Sequence, residues 1–225
     1  MFSLPIDKAN DDFITNFAKN NSMEKTIAPH NIYAESTPNP ATMKFVSNRY
    51  LVIDGQVYEY GLDDDLENSP MAAKLLNFPF ITKVFIASNF VAITKTDIIE
   101  WEDVINQLRD FLGDFLNNNG IVIKKSLNEI EPEIKKSTVN TPKRESLEGI
   151  DGKIADILDE YIRPAVESDG GAIHFHSYEE GKVSVVLKGA CSGCPSSTMT
   201  LKAGIENMLK EMLPGQIKEV IAING

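Results

Sequence analysis

The sequence predicts an α+β protein: two small α/β-sandwich-like domains joined by a flexible linker. Three observations predict it. Residues 31–118 carry short apolar runs, each bounded by Gly, Pro, Asn or Asp, and they end in an amphipathic stretch. Residues 119–149 then turn rich in Asn, Lys, Glu, Ser, Thr and Pro, a composition that buries too little apolar surface to fold alone. Residues 150–225 resume with helix and strand signals in the order α-β-β-α-β. A length of 225 residues suits one large domain or two small ones.

Residues 1–30 read as a mobile N-terminal extension, with a short helix around Asp12–Lys19 and Met23 as a candidate start. Asp7, Asp11 and Asp12, with no Arg before Met23, fit neither a secretory signal nor a transit peptide. In the first domain, residues 31–36 form a strand, and Thr37-Pro38-Asn39-Pro40 is a turn that no helix crosses. Met43–Val46 and Tyr50–Ile53 are strand candidates, with Asp54-Gly55 as a hairpin turn and Val57–Tyr60 as the returning strand. Ser69-Pro70 opens a short helix through Leu76, a cap followed by proline at the first helical position. Thr82–Ala87 and Phe90–Thr94 make a second hairpin around Ser88-Asn89. Apolar residues at Trp101, Val104, Ile105, Leu108, Leu112 and Phe115 then give one face of a helix over Trp101–Leu116, with Trp101 as a core anchor. Ile121–Ile123 is a short strand that extends this domain before the linker.

The second domain opens with a helix from Ile150 to about Ile162, which Pro164 kinks or ends. Ser168-Asp169-Gly170-Gly171 is a sharp turn. Ala172–Tyr178 and Lys182–Leu187 pair as a hairpin in which position i meets roughly 360 − i, so Ile173, Phe175, Val183, Val185 and Leu187 share one apolar face. That register sets Asp169-Gly170-Gly171 beside the loop Gly189–Ser197. It also turns His174 and His176 outward, as exposed strand residues rather than ligands. Ser196 or Ser197 caps a helix bearing Leu201, Ile205, Met208, Leu209, Met212 and Leu213. Pro214-Gly215 ends it, and Ile217–Ile223 closes a three-stranded sheet that carries both helices on one face.

The loop Gly189–Ser197 holds Cys191 and Cys194, the only two cysteines of the chain, on a turn between strand and helix. Free backbone N–H groups at such a junction are expected to stabilise thiolate charge. A pair of cysteines argues against a disulfide framework and for a reducing compartment. A net charge of −11 excludes nucleic acid as the main partner, and no apolar run reaches the ~18 residues of a membrane span. Four chemistries fit the pair: buried structural thiols, a thioredoxin-like dithiol, a zinc site completed by His174 and His176, or an iron–sulfur cluster. The motif follows an antiparallel hairpin, which weakens the thioredoxin reading. A cluster normally needs four thiolates, so one chain offers half a set and two chains related by a two-fold axis complete it. Asp63–Asp65 with Glu67 lack the ligand spacing and glycine of a calcium loop, Met199, Met208 and Met212 fit a packed helix face, and His30 has no evident partner.

Arg163-Pro164, Asp169-Gly170-Gly171, the run Gly189–Ser197, Thr200-Leu201-Lys202 and Gly204-Ile205-Glu206 resemble the C-terminal domain of NifU over essentially all of residues 150–225. Thr37-Pro38-Asn39-Pro40, Met43-Lys44-Phe45, Ser69-Pro70 and Trp101 resemble the N-terminal domain typical of Nfu proteins over 31–118. The resemblance implies a non-enzymatic iron–sulfur scaffold and carrier, with Cys191 and Cys194 as cluster ligands and metal-binding residues. It implies a 4Fe–4S cluster (2Fe–2S as the second choice) bridging a homodimer, received from assembly machinery and passed to recipient apo-proteins, with no nucleic acid or membrane partner. The alternative is a CxxC dithiol–disulfide oxidoreductase. The expected location is the cytoplasm for a bacterial source, and the mitochondrial matrix or plastid for a eukaryotic one. Ala172 stands where the family pattern has an acidic residue, a change expected to alter loop charge or cluster lability.

Overall fold

The computed structural model describes residues 28–53, 55–124, 149–192 and 195–224. The expectations for the N-terminal extension up to residue 27, and for the linker over 125–148, lie outside the described residues. The first domain contains β1 (Ile32–Ser36), β2 (Thr42–Ser47), β3 (Val57–Gly61), α1 (Pro70–Leu75), β4 (Ile81–Ala87), β5 (Phe90–Lys95) and α2 (Trp101–Asn117). The second contains α3 (Ile150–Ile157), a π-helical turn (Leu158–Ile162), α4 (Arg163–Ser168), β6 (Gly171–Glu179), β7 (Lys182–Gly189), α5 (Pro195–Met212) and β8 (Glu219–Asn224). The α+β class and the α-β-β-α-β order of the second domain match the expectation.

The first sheet is antiparallel, in the order β1-β2-β5-β4-β3. Alternation along its strands sorts side chains onto two faces. Phe45, Val84, Ile86, Val91 and Ile93 face a core shared with Met71 and Leu75 of α1 and Leu108 and Leu112 of α2. Val46, Phe85, Ala87, Phe90 and Ala92 form a second apolar cluster, which is completed by Ala172 of the other domain. Burial on both faces is why β4 and β5 read as continuous apolar runs rather than as alternation. Complete burial of a side chain such as Phe85 is worth about 1.5–3 kcal/mol.

Several expected elements are absent or altered, each for a local reason. Tyr50–Ile53 is not a strand, and β3, which it was expected to pair with, lies at the edge of the sheet with β4 as its one partner. Leu51 and Val52 instead donate backbone N–H groups to the Ser88 carbonyl, and β3 pairs with β4 rather than returning along 50–53. Ile121–Ile123 is not a strand either; it is held by the Ser69 hydroxyl on the Val122 carbonyl at 2.8 Å and by burial of Ile123. Ser69 caps α1 as expected, accepting the Ala72 N–H at 3.1 Å. His30 has partners: its backbone N–H donates to Asn117 and its ring bonds the Ser47 hydroxyl at 2.9 Å. Trp101 sits half-buried at the rim of the core, its indole N–H on the Pro40 carbonyl at 3.0 Å.

In the second domain the sheet runs β6-β7-β8, with β7 and β8 parallel, a pairing that requires the long crossover supplied by α5. Ile154, Leu158, Ile173, Val183, Val185, Leu187, Ile205 and Leu209 form its core. Pro164 kinks the first helix rather than ending it. Lacking an N–H, and with a ring that would meet the carbonyl of Glu160, it follows a widened π turn, beyond which α4 continues to Ser168. The hairpin register obeys 360 − i from Gly171↔Gly189 to Phe175↔Val185, then slips by one at a bulge before Ser177↔Ser184. Met199 is 71% exposed and Met212 is also exposed, so of the three methionines only Met208 joins the packed face of α5.

His174 is half-buried on β6 rather than exposed. Burial, reinforced by the positive charges of Lys188 and Arg163, lowers its pKa from 6.5 to about 4. Between those values only the unfolded chain binds the proton, so the neutral ring favours folding above pH 6.5 and that stability is lost as pH falls towards 4. The shift corresponds to about 3 kcal/mol. Urea unfolding at pH 7.5 and 4.5 is expected to show this loss in the parent chain and not in His174→Gln. Equal pH sensitivity in the two would overturn it.

Candidate functional site

The cysteine loop is built where β7 ends against the start of β6. Gly189 adopts φ +68°, and a Cβ there would lie 2.6 Å from the Gly170 carbonyl oxygen and 2.9 Å from Phe85. Only glycine fits that backbone and that gap. The chain then turns back on itself. The Ala190 N–H donates to the Gly170 carbonyl at 3.1 Å, and the Ser192 N–H and hydroxyl both donate to the Gly189 carbonyl, at 3.1 and 3.0 Å. Thr198, in α5, donates its hydroxyl to the Cys191 carbonyl at 3.1 Å and so ties the helix to the loop.

Gly171 lies under the loop, as the hairpin register predicts. A Cβ on Gly171 would come within 2.7 Å of the Cys191 sulfur and 2.7 Å of the Lys188 carbonyl. The room expected for a ligand is therefore taken first by the Cys191 thiol itself. Cys191 is 6% exposed and is part of the second core. Burial, with a smaller contribution from the charge of Asp169, pushes its pKa up to about 12. At Cys191 this departs from the expectation of a thiolate stabilised by free N–H groups, since the amides of Ala190 and Ser192, among the described residues of the loop, are already bonded to loop carbonyls. Cys191 is a neutral, sheltered thiol at neutral pH. Gly193 and Cys194 lie outside the described residues.

Beside Cys191 opens a cleft of about 550 Å³, walled by Tyr161, Asp169, Leu201 and Met208 of the second domain and by Pro38 of the first. The wall is mostly apolar, an environment that shields a reactive group from water. The histidines are not brought to the loop: His174 pairs across to Val186, and the buried Nδ1 of His176 has no hydrogen-bond partner among the described residues. Among those residues no group of three His, Cys, Asp or Glu side chains converges on a metal position, Asp63–Asp65 with Glu67 included. α5 begins at Pro195, ahead of the start expected at Ser196 or Ser197, with proline in its favoured first position.

Three first-domain residues reach the cysteine site, a contact that nothing local in the sequence signals. Asn39 donates its side-chain amide to the Ala190 carbonyl at 3.3 Å. Glu59 accepts the Gly189 N–H at 3.1 Å, and burial raises the pKa of its carboxyl. Lys44 donates to the Ser168 carbonyl at 3.0 Å. Ala172, only 3% exposed, lies in the apolar cluster between the domains rather than on a charged loop surface. An acidic side chain there would be desolvated against Phe85 and Phe90, so the alanine permits the docking.

Residues 154–221 match the family model described as NifU-like domain, and residues 32–119 match that of the scaffold protein Nfu/NifU N terminal. The chain belongs to the Nfu family. It is 32% identical over 183 residues to an NFU1 iron-sulfur cluster scaffold homolog, mitochondrial, from Drosophila willistoni, and to the protein of the same name from Drosophila persimilis. The alignments cover 81% of this Nfu chain and 60–62% of those relatives, so it spans about three fifths of the length of the curated proteins it matches. The solution NMR structure of a NifU-like protein from Saccharomyces cerevisiae aligns at 23% identity over 43% of this chain and 87% of that one, with a TM-score of 0.39.

Proposed function

We propose that this chain is an iron–sulfur cluster scaffold and carrier rather than an enzyme. Cys191 and Cys194 are its ligands, and a 4Fe–4S cluster is its cargo, held between two chains, with 2Fe–2S as the second choice. The carrying observation is that the chain's only two cysteines share one loop, with the Cys191 sulfur set over Gly171 at the wall of an apolar cleft. Two thiols make half of the usual ligand set, which calls for a second copy. Ligation converts each thiol to thiolate, so iron displaces protons and loading releases them. The family supports the cargo, and the relatives' printed location favours a mitochondrial home. Recipients are apo-proteins that need a cluster, and the donor is the machinery that assembles it.

The oxidoreductase alternative needs a low-pKa nucleophile, and the thiol of Cys191 is displaced the other way. Anaerobic reconstitution with ferrous iron and sulfide tests the proposal. The expected product is a coloured dimer whose absorption and Mössbauer spectra report a cubane cluster, with one cluster per two chains. A colourless monomer, or vigorous disulfide reduction by the metal-free chain, would overturn it.

A further inference from the structure

Several contacts between the domains gather on the two segments that make the cysteine site. Lys44, Asn39 and Glu59 bind the backbone of Ser168, Ala190 and Gly189 respectively. A Cβ on Gly170 would meet the Thr37 side chain at 3.3 Å, and one on Gly189 would meet Phe85. Pro38 closes one side of the cleft beside Cys191. The first domain thus holds both strands of the loop and stands on the approach to it.

We propose that the N-terminal domain is an intrachain clamp: docked, it keeps Cys191 sheltered, and it must come off before the loop meets that of a second chain across a shared cluster. The second half of this proposal rests on the cargo reading above; the shelter does not.

Two features make the clamp releasable. Each domain has its own core, and the apolar contact between them is the small cluster around Phe85 and Ala172, so undocking leaves both cores in place except at Cys191, which leaves the second core only when the freed loop lifts. The polar contacts at the loop are made to backbone groups that water satisfies once they are freed. Small, partly polar interfaces of this kind are where domains move.

Two full-length variants test the clamp. Ala172→Glu drives a carboxylate into the apolar cluster, while Lys188, directly across the hairpin, offers it a partner in the undocked state. Asn39→Ala combined with Glu59→Ala removes two of the backbone contacts and leaves every core residue in place. In the metal-free chain, iodoacetamide alkylation of Cys191, located by fragment mass spectrometry, is expected to speed up about tenfold or more in both variants. Amide exchange at 168–172 and 188–192 rises with it, while α2 and β4 keep the protection of the parent chain. Cluster uptake on reconstitution accelerates in parallel.

Unchanged alkylation and exchange in a variant that keeps its core protection would overturn the clamp. Faster alkylation with cluster uptake at the parent rate would overturn the gating of loading. Faster alkylation in variants and parent that all fail to take a cluster would sink the cargo reading and leave the thiol shelter standing.

Discussion

Cys191→Ser and Cys194→Ser are each expected to abolish cluster binding while leaving the domain folded. A serine hydroxyl is a hard, weakly acidic ligand. Replacing one cysteine per chain takes a two-chain site from four thiolates to two, too few to hold a cluster. The structural cost at Cys191 is small by comparison: a hydroxyl of similar size enters a buried site, at about 1–2 kcal/mol if it finds no partner. Circular dichroism melts close to those of the parent, together with iron and sulfide contents near zero after reconstitution, are the expected pair of results. A full complement of iron in either variant would place the ligands elsewhere.

Gly171→Ala is expected to disturb the Cys191 thiol directly, a large effect for a single added methyl. Its new methyl would sit 2.7 Å from both the Cys191 sulfur and the Lys188 carbonyl, and neither neighbour is the free end of a flexible chain. The strand must bend or the loop must lift, an overpacking cost of about 1–3 kcal/mol. Urea unfolding measures that cost. Because the loop is what lifts, Cys191 should become reactive to alkylating agents even where the domain stays folded. A variant with parent stability and a silent thiol would show that the space over Gly171 is not filled as described.

The local pattern carried most of the second domain. The apolar residues from Ile173 to Leu187 fixed the hairpin faces, and the pairing rule brought Gly171 under Cys191 with no other information. The bulge after Phe175 escaped, because a run such as His-Ser-Tyr carries no glycine or proline to mark the extra residue. In the first domain Asp54-Gly55 looked like a hairpin turn, but β3 takes β4 as its partner and the segment before the turn bonds to the distant Ser88 carbonyl, a contact no local pattern reports. The burial of Cys191 was hidden for a related reason. Gly, Ser and Pro around a cysteine announce a loop, but whether that loop is exposed depends on what folds over it. Asn39, Lys44 and Glu59 lie more than a hundred residues away from the backbone groups they bind, and no periodicity reports such contacts.

The bulge in the hairpin acts as a phase break. On the tip side of it lie only three pairings, Ser177 with Ser184, Tyr178 with Val183 and Glu179 with Lys182, and they run in a register one step away from that of the site. On the site side there is no slack. From Gly171 to Phe175 each residue has one permitted opposite number, and the pair at the end is glycine on glycine. A slip of one step would bring Ala172 to the position across from Gly189 and set a methyl where the Cys191 sulfur now lies. The thiol's place is therefore kept by counting along two strands, and the hairpin is the ruler.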